Sequence, residues 1–268
     1  MSDHATTSVL AIDVGNSRTK FGLFDGAEQI ANAALPTCLQ AMAVPHKQPI
    51  PWDQIQGWIR EPPLPMGFRV FIAGTRPETV ARVVEGRPAN WPEPMQIDSS
   101  HEFPFAIEVD EPRKAGADRL LNAVAANVVR PAGRVAIIVD SGTATTVDLV
   151  AANGAFRGGS ILPGFELSAK SLHHYTARLP YIPIEELAGE SHEPLGRNTR
   201  EALRSGLFWG QLGAVRELVA RLKTEGEEPL VLLCGGGAGL LAPHLTEATW
   251  YPHLALQGLV LVARDLKS

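Results

Sequence analysis

The sequence predicts an α/β protein made of two related lobes, and three observations carry that expectation. Apolar stretches of strand character alternate with longer segments whose apolar residues recur at helical spacing. Two strand–turn–strand stretches, LAIDVGNSRTKFGLF at 10–24 and AIIVDSGTATTVDLV at 136–150, share one plan. Their matching aspartates, Asp13 and Asp140, stand 127 positions apart in a chain of 268 residues. That period is too long for a solenoid and fits a duplicated unit. The length allows two lobes of roughly 100–150 residues each, and the expected division is 1–118 and 119–268.

Taken in order, residues 8–13 read as a strand and 20–24 as its antiparallel partner, with Asp25-Gly26 able to open a further turn. Residues 35–65 are polar and dotted with proline. Within them Trp52, Ile55, Trp58 and Ile59 recur at helical spacing, which favours a short amphipathic helix with the tryptophans as core residues over a binding role for them. RVFIAGT, 69–75, is a short strand. A helix over 77–85 follows, with Pro77 in its first turn, and 86–96 is a proline-rich connection.

From Asp118 the residues Leu120, Leu121, Val124, Ala125 and Val128 recur at helical spacing, and RPAG ends that helix. The strand RVAIIVD and a hairpin turning at ANG come next. Helices are expected over 164–178 and 199–222, a buried strand opening into glycines over 229–237, and a last helix over 254–266.

Composition sets limits. The formal net charge is −5, without the basic stripe usual in nucleic-acid binders. Cys38 and Cys234 are too few for a disulfide framework or a cysteine-rich zinc site. The start of the chain lacks the basic and apolar regions of a signal peptide, and no apolar run reaches the roughly 18 residues of a membrane span. A cytoplasmic protein with neither nucleic-acid nor membrane partners is expected.

The repeated turns point to phosphate. A glycine lets backbone approach a ligand. Turn amides and the side chains of Asn16, Ser17, Thr143, Thr145 and Thr146 can donate to phosphate oxygens. An aspartate at each strand end can hold Mg²⁺, which takes one or two carboxylates plus substrate phosphates. Two such turns facing each other would clasp a triphosphate in a cleft between lobes; two unrelated hairpin tips are the plainer alternative. CGGGAGLL, 234–241, matches neither common nucleotide fingerprint. It is either a tight strand-to-helix turn or a flat surface for a nucleobase. Asp118, at a loop-to-helix junction, is a helix cap, a base near a hydroxyl, or both. Lys20 can face a ligand or solvent. His173-His174-Tyr175 reads as a solvated or interface pair rather than a metal site, because adjacent helical histidines diverge. GGSILPG, 158–164, lies near substrate or hinge, or is a plain connection.

Two phosphate turns followed by a late glycine loop resemble the acetate and sugar kinase, Hsp70 and actin superfamily. More closely, DVGNSRTKFGLF, GADRLLNAVAA, VDSGTATTVDLV, GGSILPG, TARLP and GRNTREALRSGLFWG are similar, in order, to the type III pantothenate kinases. The resemblance implies two ribonuclease H-like lobes in the actin-like ATPase architecture, with the active-site cleft between them. It implies ATP-dependent phosphorylation of pantothenate to 4′-phosphopantothenate, the first step of coenzyme A biosynthesis, in a homodimer using Mg²⁺ and a monovalent cation (K⁺ or NH₄⁺).

By the same resemblance Asp13, Val14, Gly15, Asn16, Ser17, Arg18, Thr19 and Lys20 form the first ATP loop, and Thr143 contacts ATP. Asp118 is the catalytic base, with Gly116, Ala117 and Arg119 beside it at the substrate. Asp140 holds the monovalent cation, and Thr199 contacts pantothenate. One departure stands out: the family often has a tyrosine nine residues before the base, where this chain has Val109. A sugar-type kinase and a non-catalytic relative of the same superfamily are the competing expectations.

Overall fold

The computed structural model describes residues 8–25, 34–60, 68–189, 193–223 and 228–265. In chain order the elements are β1 (Ser8–Val14), β2 (Arg18–Phe24), β3 (Cys38–Pro45), α1 (Trp52–Arg60), β4 (Phe68–Gly74), α2 (Pro77–Gly86), β5 (Met95–Ile97), α3 (Ala117–Val129), β6 (Ala136–Ser141), β7 (Ala144–Val150), β8 (Phe156–Pro163), α4 (Phe165–His174), α5 (Thr199–Leu222), β9 (Leu230–Cys234), α6 (Ala238–Leu241), β10 (Ala248–Trp250) and α7 (Leu254–Asp265). Gly26, half of the expected Asp25-Gly26 turn, lies outside the described residues.

The chain divides into two compact units, Met1–Arg130 with His253–Ser268, and Pro131–Pro252. In the first, the sheet order is β3-β2-β1-β4-β5. β1 is central and buried along its whole length, as its unbroken apolar run demands. Its side chains alternate between two cores. Leu10, Ile12 and Val14 pack with Ile55 of α1 and with Val80 and Val83 of α2. Val9 and Ala11 pack with Leu121 and Val124 of α3 and with Leu256, Leu259 and Val260 of α7. The expected core role of the tryptophans holds: Trp52 and Trp58 pack against the α1–α2 core, and Trp52 meets Phe21 and Trp91 edge-on.

The second unit has a sheet of order β10-β9-β6-β7-β8. Read from its other edge it repeats the first: an antiparallel hairpin (β6–β7) extended by β8, with a parallel strand, β9, on the hairpin's other side. The duplication expected from the two look-alike stretches is therefore present at the level of topology. Ile137, Val139 and Val147 face a core with Phe165 of α4 and with Phe208, Leu212 and Val215 of α5.

Two expectations need correction. The division falls after Arg130, not at 118/119, and α7 belongs to the first unit rather than to a lobe spanning 119–268. The cause is close helix packing: a Cβ on Gly258 of α7 would collide with the carbonyl of Leu121 on α3. The edge strands β3, β5 and β10 were not expected. They are held by backbone pairing with β2, β4 and β9, and β3 is mostly exposed. Among the described residues no helix is long and apolar enough to cross a membrane.

Candidate functional site

In the first unit, the turn between β1 and β2 consists of Gly15, Asn16 and Ser17. Gly15 N donates to Arg18 O at 3.1 Å, closing the turn. The neighbouring carbonyls are held from outside: Thr75 N donates to Val14 O at 3.3 Å, and His46 N donates to Ser17 O at 3.1 Å. Arg76 Nη1 donates to Asn16 O at 3.2 Å. Every carbonyl from Val14 to Arg18 except that of Gly15 thus has a protein donor, which limits the lone pairs that would repel an anion. Arg76 and His46 were missed from the sequence. Arg76 follows a strand end, a common place for functional groups; His46 carries no local signal.

The eight residues 13–20 divide by exposure. Val14 and Thr19 are buried, so their contribution to a ligand is backbone. Asn16 is exposed, and Gly15, Ser17, Arg18 and Lys20 are half-buried. Asp13 is only 4% exposed and faces Lys20 directly across the hairpin, Nζ to Oδ2 3.3 Å. Lys20 therefore turns to Asp13. Its charge also reaches His253: burial first, then Lys20, pushes that imidazole below the usual histidine range.

Asp118 sits in the first turn of α3, where the helix N-terminus favours an anion. The helix starts at Ala117, two residues before the start that a cap at Asp118 requires, with Gly116 as its N-cap and no side-chain cap bond. Asp118 is thus not the cap; its Oδ1 accepts from the Arg119 amide at 2.9 Å. Ala117 is buried, which withdraws its methyl from a substrate, whereas Gly116, Asp118 and Arg119 are half-buried. Val109 lies half-buried in the irregular stretch before α3.

In the second unit, the β6–β7 turn is one residue shorter. Asp140 pairs with Thr146 and Ser141 with Thr145, leaving Gly142 and Thr143 as the tip. Gly142 N donates to Ala144 O at 3.0 Å, the counterpart of the Gly15 bond, and Gly164 N donates to Thr143 O at 3.0 Å. GGSILPG thus ends against this turn; a Cβ on Gly164 would collide with Gly142 O. Of the expected threonine donors, Thr143 remains half-exposed. Thr145 is completely buried, because strand alternation turns it into the core, and Thr146 Oγ1 donates to Asp148 Oδ2 at 3.0 Å.

Asp140 is half-buried at the end of β6, beside the glycine loop after β9. Gly235 has φ +90°, and a Cβ there would collide with Asp140 Oδ1. Gly237 N donates to Ser141 O at 2.7 Å. Gly236 and Gly239 line a cavity of about 660 Å³ with Ile184, Leu240, Glu185 and His244. Thr199 is the exposed first residue of α5. A reciprocal cap precedes it: Asn198 Oδ1 accepts from Glu201 N at 3.0 Å, and Glu201 Oε2 accepts from Arg197 N at 2.8 Å. Beside it, Arg197, Arg204, Glu193 and Glu201 line a cavity of about 460 Å³. His173 Nδ1 lies 2.8 Å from Leu179 O, and His174 packs on Tyr175.

Residues 9–221 match the family model described as type III pantothenate kinase. A type III pantothenate kinase of Caulobacter vibrioides is 35% identical over 266 residues, covering 96% of this chain and 97% of the relative. One of Phenylobacterium zucineum is 32% identical over 96% of this chain and 97% of its own. Among solved structures, a Campylobacter jejuni protein described as a Baf family transcriptional activator is similar with TM-score 0.57 and 18% identity, covering 96% of this chain and 98% of its own. The activator of 2-hydroxyisocaproyl-CoA dehydratase from Clostridium difficile is similar with TM-score 0.52 and 11% identity, covering 98% of both chains. These structural likenesses speak to the fold alone, and they agree with the two-lobed, actin-like α/β class.

Proposed function

This chain belongs to the type III pantothenate kinase family, and we propose how its own residues carry that family's reaction. The reaction is the ATP-dependent phosphorylation of pantothenate to 4′-phosphopantothenate, which opens coenzyme A biosynthesis. Phosphoryl transfer asks the protein for positioning and charge stabilisation. Asp118 is the base that takes the proton of the pantothenate primary hydroxyl as it attacks the terminal phosphorus. Arg119, Gly116 and Thr199 orient the substrate. The Asp13–Lys20 loop and Thr143 each contact ATP, and the glycine loop after β9 offers a surface for adenosine.

The observation that carries this reading is the family match, which runs through GADR and both phosphate turns. The half-buried Asp118 in the first turn of a helix supports the base assignment. The carbonyl-capped first turn and its shorter counterpart support the phosphate assignment.

The cations fit the residues present. Asp140 offers one half-buried carboxylate at the end of β6, an oxygen donor suited to K⁺ or NH₄⁺. Among the described residues no group of three or more His, Cys, Asp or Glu side chains could cage a metal. That agrees with Mg²⁺ arriving on nucleotide phosphates. Bound there, the cations supply charge neutralisation to the polyphosphate. A homodimer is supported by exposed apolar side chains on β8, on α4 and just after it: Ile161, Leu167, Leu172 and Tyr175. A cytoplasmic setting follows from the metabolic role.

The test is ADP formation by purified protein with and without pantothenate, at varied potassium, with the product identified by mass. ADP formation that requires pantothenate and rises with potassium supports the reading. Transfer to a sugar but not to pantothenate rejects it.

A further inference from the structure

We propose that Arg76 is a further phosphate-binding residue of this chain: one N–H of its guanidinium ties the tip of the β1–β2 turn, and its remaining donors and its charge meet the polyphosphate of ATP. For the identity of the nucleotide this rests on the kinase reading above; for the residue it rests on the geometry of the first unit alone.

Strand register brings Arg76 to the turn. β4 runs parallel to β1 and directly beside it, with Gly74 opposite Val14. Two residues beyond that pair stand Arg76 on one strand's exit and Asn16 on the other's. The strands close tightly there: a Cβ on Gly74 would lie 2.8 Å from the Val14 Cβ. Thr75 N donates to Val14 O at 3.3 Å, and Arg76 Nη1 then donates to Asn16 O at 3.2 Å. Backbone pairing thus sets the guanidinium at the carboxyl ends of two adjacent parallel strands, where ligands of open α/β sheets bind.

The chemistry suits an anion. Arg76 is exposed, and among the described residues no carboxylate forms an ion pair with it, its near neighbour Glu78 included. A guanidinium carries five N–H donors in a fixed fork. One goes to Asn16 O, which leaves enough to grip a phosphate through two parallel bonds. The bond to Asn16 O also covers the carbonyl at the tip of the turn, so the tip presents positive charge in place of a lone pair. The Asn16 amide has no protein acceptor among the described residues and remains a donor for the same ligand.

The duplicated topology shows what this position can carry. Asp13 pairs with Ala73 and Asp140 with Cys234, so Arg76 and Gly237 both stand three positions past a matching pair. Gly237 belongs to the glycine loop, and a Cβ there would collide with Ser141 Oγ. One unit thus has a bare backbone at this place, fit for a flat nucleoside, and the other a long cation, fit for phosphate.

The test is calorimetric titration of the full chain with MgATP, on wild type and three variants, with pantothenate-dependent ADP formation measured in parallel. Arg76→Ala removes the charge and the tie, and is expected to bind MgATP roughly tenfold more weakly, for loss of a charged hydrogen bond. Arg76→Gln can still donate to Asn16 O but has no charge, and is expected to lose as much. Arg76→Lys keeps the charge without the fork and is expected to fall between. The side chain is exposed and makes no cap bond to α2, so thermal melting should be alike in all four proteins. Binding by Arg76→Gln within about twofold of wild type would reduce Arg76 to a brace of the turn and overturn the proposal. So would unchanged binding by Arg76→Ala, a loss of binding that tracks a loss of melting temperature, or no MgATP binding by wild type. Arg76-dependent MgATP binding without ADP formation from pantothenate would support the proposal and contradict the acceptor reading instead.

Discussion

Lys20 Nζ lies 3.3 Å from Asp13 Oδ2 across the first hairpin, and the carboxylate it meets is almost completely buried. Removing one partner of a buried pair leaves the other charge uncompensated. Lys20 keeps some solvent access, so Lys20→Met is expected to cost about 1–3 kcal/mol in urea unfolding. Adding Asp13→Asn should recover part of that loss. Equal, additive losses in the two single variants would show that the contact contributes nothing.

Gly235 combines a positive φ with direct contact to Asp140. Gly235→Ala should lower thermal stability and raise the apparent KM for ATP or the potassium requirement, because the added methyl displaces the Asp140 carboxylate. An alanine variant with unchanged melting and unchanged cation dependence would show that the close approach has no consequence.

His46 and His253 both have folded-state values pulled below 6.5, chiefly by burial. A depressed value means the unfolded chain takes the proton first. Their contribution is fully present above about pH 6.5 and is lost as pH falls below it. Unfolding free energy should therefore drop on acidification through that window, and His253→Gln should flatten the slope. An unchanged slope in the variant would contradict the assignment.

Cys38 is pushed up to about 11, mainly by burial and against a hydrogen bond with the Gln40 backbone that acts the other way. The thiol is thus almost wholly protonated at neutral pH and a poor nucleophile. Alkylation followed by intact mass should be slow at pH 7.5. The stability it lends is present below about pH 9 and lost as pH rises toward 11. Fast modification at pH 7.5 would refute this.

The readable parts of the sequence were those where side chains set the structure. β1 showed as an apolar run because both its faces are covered, and α3 showed through Leu120, Leu121 and Val124. The paired turns were legible because Asp13 and Asp140 end strands of the same plan. β3 was not, since CLQAMAVP is an exposed edge held by backbone bonds that any sequence can make. The return of α7 to the first unit was hidden as well; its single trace is Gly258, a glycine inside an apolar helix that permits contact with Leu121. Thr145 misled because its inward direction depends on strand register, which a turn shortened by one residue alters.

The most direct test of the central claim is the Asp118→Asn variant. Steady-state turnover with pantothenate and ATP should fall by at least about 10²-fold, the contribution of a positioned general base. Nucleotide binding by calorimetry should stay within about threefold of wild type. Turnover near the wild-type rate, with nucleotide binding intact, would contradict Asp118 as the base.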